Sequence, residues 1–280
     1  MAIRIVTDSA ADYKQEEILR RQIECLPMSV TFGSDSFLDG IELEKEEFYE
    51  RLLEGKEFPK TSQPAPGAFL ECFEAAKEAN DSVIVILISG ALSGTVQSAY
   101  IAKDMAEYDD VYIIDSTTAT LGMRLLVDTA VVLREKGATV QQIVEEVERL
   151  KSKVHVLAGL DTLEYLAKGG RISKGAANIG NLANLKPLIS IQEGKVDVCG
   201  KAIGMRRAYK GLMKIVDGYE IDEDYPVYFI YSYDRTNCAG FLHTMEKAGH
   251  IFDPVKIRGI GPTIGTHIGP GAFGMVFVEK

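Results

Sequence analysis

The apolar run VIVILI, residues 83–88, constrains the fold of this chain more than any other feature. Six consecutive aliphatic residues predict a strand buried on both faces, because a strand with one solvated face would alternate apolar and polar residues. A second run, VYIID at residues 111–115, has the same character. Strands of this kind are typical of parallel sheets covered by helices. The run is also far shorter than the ~20 apolar residues that a membrane-spanning helix needs.

Amphipathic helical patterns separate these strands, so residues 1–153 are predicted to form an α/β/α domain with a parallel sheet. The alternation of strands and helices ends after about residue 153. Two strands joined by a Glu-Gly turn predict a hairpin near residues 186–203, followed by a helix, a strand, a helix and two final strands. Residues 154–280 are therefore predicted to form an α/β domain with a mixed sheet. No flexible linker separates the halves, so we expect them to pack closely around a cleft.

Two further expectations concern residues 23–40 and 58–66. Residues 23–32 are predicted to be one extended stretch, and residues 32–40 a turn-rich link. Residues 58–66, which contain three prolines, are predicted to be a loop.

Charge and cysteine placement exclude several classes of protein. The chain has 280 residues and a formal net charge of −10, which argues against nucleic-acid binding because phosphate contacts need clustered Lys and Arg. Neither the four cysteines nor the four histidines are spaced as zinc ligands, and no disulfide framework is indicated. The N-terminus lacks the pattern of a signal peptide, so we expect a cytoplasmic protein. We also expect neither a bound metal nor a cofactor. The cysteines are Cys25, Cys72, Cys199 and Cys238, and the histidines are His155, His243, His250 and His267.

Two loops are candidates for binding an anion. Thr61 and Ser62 lie just before a predicted helix, in TSQP, and Ser93 and Gly94 lie between a strand and a helix, in SGALSGT. In an open parallel sheet, ligands bind where strands end and helices begin, and the free N–H groups of a helix start suit a carboxylate or phosphate. Simple capping of the two helices is the alternative.

Named catalytic motifs are absent from the sequence. It contains neither a P-loop nor a dinucleotide-binding G-x-G-x-x-G. The sequence GALSG differs by one residue from the G-x-S-x-G motif of serine hydrolases. The order Ser93, Asp234, His267 matches the hydrolase order of serine, acid and histidine, so a serine hydrolase remains an alternative.

The segment GTHIGPGAFG, residues 265–274, places His267 among glycines and a proline. Such a composition predicts a turn-rich segment and no stable helix. His267 is either a ligand-binding residue or part of a structural turn. Arg206, in MRRAYKG, begins a basic stretch that either docks an acidic partner or is simply solvated.

Taken together, VTDSAAD, TSQP, SGALSGT, LEYLAKGGRI and GTHIGPGAFG resemble the motifs of the DegV family, in the same order and over essentially the whole chain. The resemblance implies the two-domain DegV-like fold. It also implies one long-chain fatty acid, such as palmitate, bound between the domains. Members of the family present this fatty acid to a fatty acid kinase and carry the acyl phosphate toward phospholipid synthesis, without being catalysts themselves.

The resemblance also implies roles for particular residues. Thr61, Ser62, Ser93, Gly94 and His267 would bind the carboxylate. Arg206 falls in the region that faces the kinase, although Ala208 and Tyr209 stand where the family usually has more basic residues. Arg171, in GGRI, would either join the head-group site or order its loop. The partners implied are the fatty acid and the kinase, with transient contact at a membrane surface and no membrane-spanning segment. A lipid-binding sensor without a kinase partner is a further alternative.

Overall fold

A computed structural model describes residues 2–55, 57–173, 175 and 184–280 of the chain. Its helices are α1 (Gln15–Arg21), α2 (Lys45–Glu54), α3 (Pro66–Ala79), α4 (Thr95–Ala106), α5 (Thr120–Glu135), α6 (Val140–Lys151), α7 (Glu164–Lys168), α8 (Met205–Val216), α9 (Thr236–Lys247) and α10 (Pro262–Ile268), with a short 3-10 helix at Ser9–Ala11. Its strands are β1 (Ile3–Asp8), β2 (Ile23–Leu26), β3 (Ser29–Phe32), β4 (Asp35–Leu38), β5 (Lys60–Ser62), β6 (Ser82–Leu87), β7 (Val111–Asp115), β8 (Val154–Gly159), β9 (Leu185–Gln192), β10 (Lys195–Ile203), β11 (Tyr228–Tyr231), β12 (Lys256–Gly259) and β13 (Phe273–Val278).

The first sheet is parallel and has the strand order β2-β1-β6-β7. Every residue of β6 is buried, as the apolar run predicts. Val83 and Val85 face a cluster with α3 and α4, whereas Ile84 and Ile86 face a cluster with α5 and α6. The predicted α/β/α arrangement with a parallel sheet is confirmed.

The second sheet is mixed and has the order β10-β9-β8-β13-β11-β12. Strands β11 and β12 are parallel, and the other neighbouring pairs are antiparallel, including the predicted β9–β10 hairpin. Helices α8 and α9 cover one face. The other face packs against α5, which also contacts β1 and β6 of the first sheet. Helix α5 therefore lies between the two sheets and joins them in one hydrophobic cluster.

A small antiparallel sheet, β4-β3-β5, differs from the sequence-based expectation. The predicted stretch 23–32 is in fact two strands in different sheets, since β2 pairs with β1 and β3 pairs with β4 and β5. The predicted link 32–40 and loop 58–66 each contain a strand. The sequence could not reveal them, because these strands are three or four residues long and are stabilised by pairing with β3.

The prediction that residues 265–274 contain no helix is wrong for residues 265–268, because α10 includes His267 and ends at Ile268. Pro262 is suited to the first turn of this helix, where its missing N–H leaves no hydrogen bond unmade. Gly265 is required by packing, since a Cβ there would lie 2.7 Å from the ring of Phe48. Tertiary packing therefore overrides the low helix propensity of glycine.

Candidate functional site

A cavity lies where the carboxyl ends of the first sheet meet the second sheet and α10. The space between its atoms, including its opening to solvent, is about 750 Å³. Fourteen of the twenty lining residues are aliphatic or methionine, so the interior suits an apolar ligand. These are Met28, Ile88, Leu92, Ala119, Val156, Ala158, Leu166, Ile189, Ile191, Val196, Ile230, Ile260, Ile264 and Ile268, and the polar lining residues are Thr61, Ser93, Thr120, Arg171, Thr263 and His267.

Thr61 and His267 form the polar contact that links β5 to α10. The hydroxyl oxygen of Thr61 lies 2.9 Å from Nε2 of His267, and both residues line the cavity. His267 Nδ1 is buried and has no hydrogen-bond partner within the described residues. A Cβ at Gly169 would overlap this nitrogen, so the glycine of GGRI allows the imidazole to pack against the backbone.

His267 is neutral at pH 7 in this environment. Burial, with a smaller contribution from the nearby positive charge of Arg171, lowers the pKa of its imidazole to about 4. A neutral imidazole has one donor and one acceptor nitrogen, so His267 and Thr61 together supply hydrogen bonds without a formal charge. The arrangement suits a polar or anionic head group that is held but not clamped.

Ser93 and the glycine that follows it lie close to the TSQP loop. The Ser93 hydroxyl is 2.8 Å from that of Thr95, and Ser93 lines the cavity. Gly94 begins α4 and lies against Gln63, where a Cβ would come within 2.5 Å of the Gln63 amide nitrogen. The two predicted anion-binding loops are therefore in direct contact, and Gly94 makes that contact sterically possible.

Arg171 both orders its loop and lines the cavity. Its guanidinium donates to the carbonyl of Leu92 at 3.0 Å and to that of Gly169 at 2.5 Å. These bonds connect the GGRI turn to the SGALSGT loop. They also place a positive charge at the polar end of the cavity.

Three of the predicted site residues, Ser62, Gly94 and Arg206, do not line the cavity, although Gly94 lies beside the cavity-lining Ser93. Ser62 is exposed and pairs with Ser29 at the edge of the small sheet. Arg206 is exposed in the first turn of α8. Their predicted roles in carboxylate binding and kinase docking stay predictions.

The residues of the hydrolase alternative are not arranged as a catalytic triad. Among the described residues, the hydroxyl of Ser93 contacts Thr95 and not His267, and Nδ1 of His267 has no acid beside it. The Asp234 carboxylate instead accepts the N–H of Thr236 at 2.8 Å. A base that contacts neither its nucleophile nor an orienting acid lacks the geometry of that mechanism.

Sequence reasoning missed two polar residues of the cavity, Thr120 and Thr263. Thr120 directly follows the loop after β7, so its position at the end of a parallel strand was the available signal. Thr263 lies in α10, where the expected lack of a helix concealed it. Both hydroxyls donate at 2.5 Å to buried carboxylates, Thr120 to Asp12 and Thr263 to Asp39.

The described ranges offer neither a metal-binding cluster nor a membrane-spanning helix. They contain no group of three His, Cys, Asp or Glu side chains that could hold a metal ion. None of their helices combines the length and the apolar character needed to cross a membrane.

Comparison with known proteins gives matches over the full length of the chain. A family model described as "Uncharacterised protein, DegV family" matches residues 2–280. A DegV domain-containing protein of Caldanaerobacter subterraneus is 34% identical over 284 residues, covering 99% of each chain. A solved structure that reports fatty acid binding by a DegV family protein from Thermus thermophilus has a TM-score of 0.89 and 33% identity, covering 100% of both chains. A stearic acid-binding protein from Eubacterium ventriosum has a TM-score of 0.83 and 28% identity, covering 100% of this chain and 99% of the other.

Proposed function

The chain belongs to the DegV family, and from that membership we propose that it binds one long-chain fatty acid in the cavity. The observation that carries the proposal is the shape of the cavity: an aliphatic interior with Thr61, Ser93, Arg171 and His267 on its lining. The carboxylate would lie against these polar groups, and the acyl tail would extend among the aliphatic side chains. The fatty-acid-binding proteins of the same fold support this assignment.

The energetics favour a tightly held ligand. A palmitate tail has about fourteen methylenes, and each contributes ~0.8 kcal/mol when fully buried, or roughly 11 kcal/mol in total. Association and ordering costs remove part of this gain. The remainder is enough for a fatty acid to survive purification.

We further propose that the protein is a non-catalytic carrier that presents the bound carboxylate to a fatty acid kinase in the cytoplasm. Neutral hydroxyls and a neutral imidazole hold the head group, and Arg171 adds a nearby positive charge while its guanidinium donates to the carbonyls of Leu92 and Gly169. A head group held in this way stays available to a phosphorylating partner. The exposed Arg206 would contact that kinase. The acyl phosphate formed would then serve phospholipid synthesis.

Mass spectrometry of the purified protein, first native and then after solvent extraction, tests ligand binding. We expect one fatty acid for each chain. Ala158→Leu, which narrows the cavity, is expected to abolish binding or to select shorter chains, while Ala75→Leu at an exposed position on α3 is not. A protein that is empty and takes up neither added palmitate nor stearate would overturn the proposal.

A second experiment separates the carrier from its alternatives. A fatty acid kinase supplied with ATP and the loaded protein should consume ATP, and Arg206→Ala should reduce that turnover. Lipid binding without kinase stimulation would instead indicate a sensor. Covalent labelling of Ser93 by a fluorophosphonate, with ester cleavage, would indicate a hydrolase.

His267→Ala tests the head-group end of the site. Loss of the imidazole is expected to lower fatty acid affinity at least fivefold, because the carboxylate loses a hydrogen-bonding group in a buried setting. His243→Ala, at an exposed position on α9, is the matched control. Equal affinities for the two variants would exclude His267 from the site.

A further inference from the structure

Three aspartates lie behind the wall of the cavity: Asp8 and Asp39 are buried, and Asp12 is a partly exposed residue whose carboxylate is desolvated. Asp12 accepts the backbone N–H of Gly261 at 2.8 Å. Asp39 accepts the hydroxyl of Thr263 at 2.5 Å. Gly261 caps α10 and Thr263 lies in its first turn, so two separate carboxylates are bonded to the start of the helix that carries His267.

The same two carboxylates are bonded to other parts of the cavity wall. Asp12 also accepts the hydroxyl of Thr120, which lines the cavity at the start of α5. Asp39 also accepts the hydroxyl of Ser9 at 2.9 Å, and Ser9 in turn accepts the N–H of Met28 at 3.0 Å. The carboxylates therefore join α10 to wall segments that are far apart in sequence.

The backbone at Thr120 shows that this region is held tightly. Its φ is 51°, in the left-handed region that β-branched residues rarely adopt. Such a conformation persists only where its surroundings enforce it. The bond to Asp12 is part of that enforcement, and it also occupies a hydroxyl that would otherwise face the ligand.

We propose that Asp12 and Asp39 are positioning residues, which fix α10 so that His267 is held at the head-group end of the cavity. The inference rests on the proposed binding of a fatty acid. It adds that the geometry of the head-group site is set by buried carboxylates that do not line the cavity. It also gives a role to Asp12 and Asp39, whose carboxylates form no ion pair with any residue that the structure describes.

The charged and titratable surroundings of the pair agree with this role. The charge of Asp39 adds to the cost of ionising Asp8 and Asp12, and Glu44 adds a further negative charge near Asp39. Arg124 bonds the backbone carbonyl of Asp12 and not its carboxylate. The phenol of Tyr49 lies near both carboxylates and donates to the carbonyl of Ile260 at 3.2 Å. Hydroxyl and N–H groups are thus the main partners of these carboxylates.

Asp8 provides a matched control, because it is equally buried but bonds elsewhere. Its carboxylate accepts the N–H groups of Ala10 and Ile88, each at 2.9 Å, and neither belongs to α10. Asp8→Ala leaves two buried N–H groups that cannot turn to another acceptor. We expect Asp8→Ala to cost more stability than Asp39→Ala, and Asp39→Ala to cost more fatty acid affinity.

The experiment measures palmitate affinity, the thermal midpoint and the NMR signals of the His267 ring nitrogens in the wild type and both variants. We expect Asp39→Ala to weaken binding at least tenfold and to shift the ring signals. We expect Asp8→Ala to weaken binding less than threefold and to leave those signals in place. Affinity losses that simply follow the thermal midpoints, or unchanged ring signals in Asp39→Ala, would overturn the proposal.

A second pair of variants keeps the proposal testable if Asp39→Ala does not fold. Thr263→Val preserves shape but removes the hydroxyl, whereas Thr263→Ser retains it. The valine variant is expected to shift the His267 signals and weaken binding, and the serine variant to restore both. If the wild type binds no fatty acid, the proposed function fails, but the ring signals of the variants still decide whether the carboxylates position His267.

Discussion

Two neighbouring regions of the molecule bury carboxylates in opposite ways. In the first, the Arg124 guanidinium donates to both carboxylate oxygens of Glu17, at 2.6 and 2.9 Å. In the second, the Asp12 carboxylate accepts only a hydroxyl and an N–H group from the part of the chain that the structure describes. The regions touch where Arg124 donates to the Asp12 carbonyl at 3.2 Å.

The contrast appears in the pKa values. Burial alone would raise the pKa of Glu17, but the bonds and charge of Arg124 outweigh it and lower the pKa to about 2. Burial dominates at Asp12, where the opposing bonds from Thr120 and Gly261 leave the pKa at about 7. The presence of a cation bonded to the carboxylate therefore determines whether the ionised or the protonated form of a buried acid is favoured. The ion pair lies away from the cavity, and the unpaired acids lie behind its wall.

The largest effect is expected where the ion pair is broken. Arg124→Met would leave Glu17 without its cation and Asp128 with Arg21 alone, and removing one partner of a buried pair costs about 3–5 kcal/mol. Urea denaturation should show this fall in the free energy of unfolding. Arg149→Met, which breaks an exposed pair with Glu146, should cost less than about 1 kcal/mol. If both variants lost a similar free energy of unfolding, the buried ion pair would not differ from an exposed one, and the contrast between the two regions would fail.

A smaller effect is expected from neutralising an unpaired acid. Asp12→Asn keeps a carbonyl for the Gly261 N–H, and the Thr120 hydroxyl can rotate to accept from the amide, so stability at pH 8 should change by less than about 1 kcal/mol. The pH dependence should change more clearly. Because the folded-state pKa of Asp12 lies above its unfolded value of about 4, its contribution to stability is fully present below pH 4 and is lost as the pH rises through 7.

Denaturation of the wild type and Asp12→Asn between pH 4 and 8 measures this contribution. The wild type should lose up to about 1.4 kcal/mol per pH unit relative to the variant, levelling off above pH 7. Glu17→Gln should show the opposite sign, since a lowered pKa contributes stability above about pH 4.5 that is lost as the pH falls toward 2. Parallel pH profiles for the wild type and Asp12→Asn would contradict the raised pKa.

The smallest expected effect is in the titration of the His267 imidazole. Its lowered pKa of about 4 predicts that the ring carbon shifts of this histidine stay constant between pH 8 and 5. A histidine in an unfolded chain titrates near pH 6.5, so the urea-unfolded protein is the reference. Titration of His267 above pH 6 in the folded protein would show that its imidazole is not desolvated as described.

The sequence predicts the parts of this molecule that local patterns specify. The run at 83–88 marks a strand buried on both faces, and SGALSGT marks a loop that contributes Ser93 to the cavity. It does not predict α10, whose helix depends on Gly265 packing against Phe48. Nor does it predict β4 and β5, which exist because β3 lies between them.

The candidate site was predictable to a similar extent. Motif resemblance assigned Thr61 and His267 to one carboxylate site, and the structure places their side chains 2.9 Å apart although they are 206 residues apart in sequence. Their role in binding a carboxylate stays a prediction. The resemblance gave no indication of the carboxylates behind them. A buried aspartate without a cation leaves no local sequence signal, because its partners are N–H and hydroxyl groups supplied by distant elements.

The position of α5 also limits how a ligand reaches the interior. This helix packs against β1 and β6 on one side and β8 and β13 on the other, within one shared cluster. Spreading the two sheets apart would expose that cluster to water at a large cost in free energy. A ligand that reached the cavity would therefore enter by local displacement of wall residues and not by separation of the two sheets.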